Sequence, residues 1–229
     1  MALKSKFYEV GSVTTGSDDT LQYLTIEGLN TDFAMFQIVF DGQLKMPSAD
    51  TSSLNYSWQW GPTVEMQGAW AGGPNASAAK YRNMMVEWMP NNGNTTCRLG
   101  NGAETYVVTS YGRFPRWYYI TDAYDYSERM VMEGTCILPG DDTMKAIAWN
   151  GGGPFPTGTS SAWGNYGSAR QMTYTKLDCQ LAASAPTSIG PMDSIRIGAG
   201  TTTNGNAFTF GAFSSLKVYG MGWTDVHST

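Results

Sequence analysis

Asp122, Asp125, Glu128 and Glu133 form the densest acidic stretch of the chain, and Asp141-Asp142 follows close behind. Two carboxylates about 5–9 Å apart across a cleft suffice for glycoside hydrolysis, one as acid and one as nucleophile or base. Spacing along a chain does not set that distance, so the simpler reading is a set of solvated acids on loops and edge strands. Asp18-Asp19 and Asp141-Asp142 could offer oxygens to calcium. Neither pair sits in the alternating acids of an EF-hand loop, and Asp stabilises ordinary turns through its own side chain. His227 is the single histidine. Ser-His-Asp or Cys-His catalysis would have to use that one imidazole near the end of the chain, and zinc lacks His and Cys at ligand spacings. Cys97, Cys136 and Cys179 are odd in number and far apart, which fits buried free thiols better than a disulfide framework or a metal site. Gly198-Ala-Gly200 and Gly151-Gly-Gly153 lack the remaining Gly or Lys of a nucleotide loop and lead into no helix, so they read as turn glycines. The expectation is a chain with no catalytic, metal-binding or cofactor-binding residues.

Aromatic residues are the stronger candidates for recognition. Trp58 and Trp60 alternate, as do Trp117 and Tyr119. Facing outward, such pairs could stack on sugar rings or meet a protein partner. Facing inward, they fill a core or a subunit seam, and the period-2 spacing favours that reading. The 13 methionines, including Met84-Met85, Met130 and Met132, read as adaptable packing rather than a metal box.

The elements that must carry these residues are strands. Charged residues make up only 14% of the chain, aromatics reach 13%, and there are 27 glycines, a turn-rich β composition. Net charge is −5 with no basic run, which argues against a nucleic-acid partner. No stretch approaches the ~20 apolar residues of a membrane helix, and no export signal is apparent. A chain of 229 residues suits one large all-β domain spanning 1–229.

Lys6–Val10 and Leu21–Ile26 read as the first strands. Phe33–Phe40 follows, with Phe36, Ile38 and Phe40 on one face and Met35, Gln37 and Val39 on the other; two fairly apolar faces predict a central strand. Asp41-Gly42 reads as a turn, and Leu44–Ser53 as a loop. Tyr56–Trp60 and Val64–Trp70 continue the strands. Ala76–Arg82 is the best candidate for a helical turn, with extended structure resuming at Met84–Met89 and a longer helix over Ala76–Met89 as the alternative. Pro90–Asn94 reads as a loop, and Thr95–Leu99 and Thr105–Ser110 as a hairpin about Gly100-Asn-Gly102. Strands are expected at Arg129–Leu138, Met144–Trp149 and Met172–Leu181, with a turn at Pro139–Asp142 and a long exposed loop over Asn150–Gly167.

The stretch Met192–Met221 closes the pattern. Ser194–Ile197 alternates, a Gly/Thr/Asn run follows, Phe208 and Phe210 share a face, and Leu216, Val218 and Gly220 share another, with Lys217 and Tyr219 opposite. This predicts a final hairpin that needs a second apolar surface, because a lone hairpin is marginal in water. Ten or more short strands at such spacings predict an antiparallel β-sandwich, a jelly roll.

The closing phrase Phe210-Gly-Ala-Phe-Ser-Ser-Leu-Lys-Val-Tyr-Gly220, behind an Ile-rich strand and a glycine loop, resembles the ending of tailed-bacteriophage virion proteins of the tail-fibre and decoration type. Leu24-Thr-Ile-Glu-Gly-Leu29 followed by Phe33–Phe40 and Asp41-Gly42 resembles the opening of the same group. The resemblance implies a jelly-roll structural component of a virion, made in the host cytoplasm. It would assemble as a homotrimer with other virion proteins as partners. A carbohydrate-binding module touching the host surface through Trp58, Trp60, Trp117 and Tyr119 is the alternative.

Overall fold

In the computed structural model, the described residues are 6–17, 20–45, 63–66, 80–91, 94–99, 107–109, 112–113, 129–141, 145–153, 169–178, 191–200 and 207–222. They form antiparallel sheets, with no helix among them.

The largest sheet runs in the order β1-β15-β3-β10-β11-β12-β6-β7, with β8 also on β6. Its strands are β1 (Lys6–Thr14), β3 (Met35–Gly42), β6 (Lys80–Asn91), β7 (Asn94–Leu99), β8 (Val107–Thr109), β10 (Met130–Ile137), β11 (Lys145–Gly153), β12 (Ala169–Asp178) and β15 (Ser215–Gly222). A second sheet is ordered β2-β13-β5-β9, from β2 (Tyr23–Ile26), β5 (Thr63–Met66), β9 (Gly112–Arg113) and β13 (Ile195–Gly198). A short ribbon pairs β4 (Leu44–Lys45) with β14 (Thr209–Phe210).

Alternation decides which way each strand faces. In β3, Phe36, Ile38 and Phe40 are fully buried while Met35, Gln37, Val39 and Asp41 are half-buried, and the strand lies between β15 and β10 as its two apolar faces require. In β15, Leu216 and Val218 are fully buried and Lys217 and Tyr219 face the other side. These side chains join Leu24, Ile26, Ile195, Ile197, Trp149 and Phe210 in one hydrophobic cluster fed by all three sheets. The rings of Phe40 and Phe210 meet tilted, with centroids 5.8 Å apart, and tie β3 to the short ribbon. Glycines make room for rings: a Cβ at Gly134 would lie 2.6 Å from Trp149 on the neighbouring strand, and Gly220 leaves space for the ring of Phe33.

Several local expectations are corrected. The closing stretch is not a hairpin: β13 pairs with β2 and β5, whereas β15 pairs with β1 and β3, so its arms belong to different sheets. Each arm carries its own apolar face, and both faces join the same cluster, which two strands side by side in one ribbon would not require. Asp41-Gly42, a turn signal for a hairpin or a corner, makes no hairpin: the pair ends β3 opposite Val131 and Met130, and after Gln43 the chain passes to β4 in a different sheet. Leu44 and Lys45, read as loop, form β4 because Leu44 is buried opposite Phe210. Lys80–Arg82, placed in a helical turn, begins β6, and pairing to β12 along its length also overturns the longer helix to Met89. Residues 76–79 lie outside the described residues. β7 and β8 do not pair with each other; both lie on β6, which at 12 residues is long enough to take them end to end. Pro90, Asn91 and Asn94, read as loop, belong to the strands, with Asn91 paired opposite Asn94. Asn150–Gly153, read as the start of a long loop, continue β11 instead, Asn150–Gly152 pairing with both β10 and β12 and Gly153 with β12; residues 154–167 lie outside the described residues.

Candidate functional site

The residues singled out for recognition, Trp58, Trp60, Trp117 and Tyr119, lie outside the described residues. So do Asp18, Asp19, Asp122, Asp125, Glu128, Asp142, Cys179 and His227. Glu133 is exposed on β10, opposite Val39 and Asn150. Cys136 is buried in the core, its Sγ donating to the Ile137 carbonyl at 3.9 Å. Among the described residues no three His, Cys, Asp or Glu side chains come together as a metal site. Gly151, Gly152 and Gly153 lie in β11.

Among the described residues, the exposed large hydrophobics on and beside strands β1, β15, β3 and β10 lie toward the two ends of those strands. At one end, Gly211–Ser214 form a tight turn entering β15, with the Ser214 amide donating to the Gly211 carbonyl at 3.2 Å. The turn is pinned from below. Thr15 and Ser214 exchange bonds, the Thr15 amide to the Ser214 carbonyl and the Ser214 amide to Thr15 Oγ1, each 2.8 Å. Thr15 Oγ1 donates to the Gly211 carbonyl at 2.9 Å and Ser214 Oγ donates to the same oxygen at 2.7 Å. The Gln43 amide donates to Ser214 Oγ, and the Gly211 amide to the Gln43 carbonyl. Thr15 and Ser214 are buried, so their hydroxyls must be satisfied within the protein, and these bonds do it.

The turn displays Phe213. Its φ is +58°, the left-handed region that a bulky residue rarely adopts, at the turn position that favours Gly or Asn. Its side chain contributes little to the core, because the residue is 63% exposed. Arg129 braces it: Nη2 donates to the Phe213 carbonyl at 2.7 Å and Nε pairs with Asp41 Oδ1 at 2.6 Å. Val131, also exposed, stands beside Asp41 on the next strand.

At the other end, strand register lines up Phe7, Met221, Met35 and Ile137 across β1, β15, β3 and β10. Residues in register share a face, so these four form an apolar row spanning roughly 14 Å over three inter-strand gaps. Ile137 is 68% exposed and Phe7 is half exposed. Leu138 extends the row, exposed and at φ +51°. Its amide donates to the Ala34 carbonyl and its carbonyl accepts from the Asp141 amide, closing the Pro139-Gly140 turn that the sequence predicts. Leu138 and Phe213 are the two non-glycine residues with positive φ among the described residues, and both are exposed hydrophobics.

Sequence reasoning missed both features. The signal for Phe213 was a bulky residue between Gly211-Ala212 and two serines, which the period-2 reading of the flanking strands passed over. The row carried no linear signal, because its members are far apart in sequence. On the second sheet, the guanidinium of Arg196 lies 4.3 Å from the ring centre of exposed Tyr23, a surface cation–π contact.

Set against known proteins, this chain matches no family model, no curated sequence and no solved structure.

Proposed function

We propose that this chain is a non-enzymatic structural component of a tailed-phage virion, a capsid-decoration, fibre or tail module. In this reading it is one jelly-roll sandwich, made in the host cytoplasm, that works through contacts with other virion proteins and with copies of itself in a trimer. The observation that carries the reading is the apolar row Phe7, Met221, Met35 and Ile137, exposed at Phe7 and Ile137 and half-buried at the two methionines, continued by exposed Leu138. Contiguous apolar surface on a folded protein marks a contact surface, and a protein partner covers it at the least cost in unsatisfied polar groups. The resemblance of Phe210–Gly220 to the closing phrase of virion proteins supports it. Phe210, Leu216 and Val218 are fully buried, while Phe213 stands out at the surface.

The test is to raise antibodies to the purified chain and label intact phage particles from the producing host. Labelling at a regular position on head or tail, with the chain in the particle proteome, is the expected result. Particles that assemble and infect without the chain in them would overturn the reading.

A further inference from the structure

We draw no further inference here: the strongest candidate, the face of the large sheet over β12, β6 and β7 opposite to that of buried Trp149, where register lines up Tyr174 with Met84 and Met172 with Val86 and Leu99, is an apolar sheet face, and nothing among the described residues shows what covers it.

Discussion

Replacing Thr15 with Val tests the turn that presents Phe213. The two side chains are nearly isosteric, so the change removes the hydroxyl with little change in volume at a residue 1% exposed. Two bonds go with it, the one from the Ser214 amide and the one to the Gly211 carbonyl. A net hydrogen bond contributes about 1 kcal/mol, and stranding a buried donor costs more, about 1–3 kcal/mol. Here both partners keep an alternative, since the Ser214 amide lies 3.2 Å from the Gly211 carbonyl, which also accepts from Ser214 Oγ. The expected loss is therefore about 1.5–2 kcal/mol, near the sum of two ordinary bonds rather than the cost of a stranded group. With a urea m-value of about 3 kcal/mol/M for a chain of this size, the midpoint falls by roughly 0.5–0.7 M at unchanged m. Thr15→Ser, which keeps the hydroxyl and loses a methyl, should cost about 1 kcal/mol or less. Equilibrium unfolding followed by tryptophan fluorescence measures both. A Thr15→Val protein as stable as the unaltered chain, or a Thr15→Ser protein less stable than Thr15→Val, would refute the claim that this hydroxyl anchors the turn.

Two further tests probe the core. Gly134→Ala puts a Cβ 2.6 Å from Trp149 and 2.9 Å from Ile147, so overpacking should cost about 1–3 kcal/mol, and adding Trp149→Phe should recover part of it in a thermal melt. Phe40→Ala and Phe210→Ala, at fully buried rings in contact, should each cost about 3–5 kcal/mol. A double-mutant cycle should return a coupling of about 0.5–1.5 kcal/mol; strictly additive losses would mean that the rings do not depend on one another.

Period-2 alternation was enough to place most of the strands and the face each one buries. Phe36, Ile38 and Phe40 on β3, and Leu216 and Val218 on β15, lie inside as their spacing demands, because successive residues of an extended chain point to opposite sides. The composition, low in charge and rich in glycine and aromatics, likewise pointed to strands, and the helical turn read at Ala76–Arg82 went the other way. Turn chemistry was a poorer guide. Asp41-Gly42 has the composition of a turn but remains in β3, because β10 and β15 on either side supply hydrogen-bond partners that a local signal cannot foresee.

Partner choice belonged to the tertiary structure. Nothing in the stretch from Ser194 to Tyr219 says that Ile195–Gly198 pairs with β2 while Ser215–Gly222 pairs with β1, since pairing depends on segments nearly 200 residues away. The apolar row and the exposed turn follow from those pairings. Phe7, Met35, Ile137 and Met221 become neighbours only when four strands align in register, and Phe213 becomes a projecting ring only when Thr15 and Ser214 hold its turn. A residue's type and its neighbours in sequence determine which side of a strand it occupies; which distant residue stands beside it is decided by how the whole chain buries its apolar faces at once.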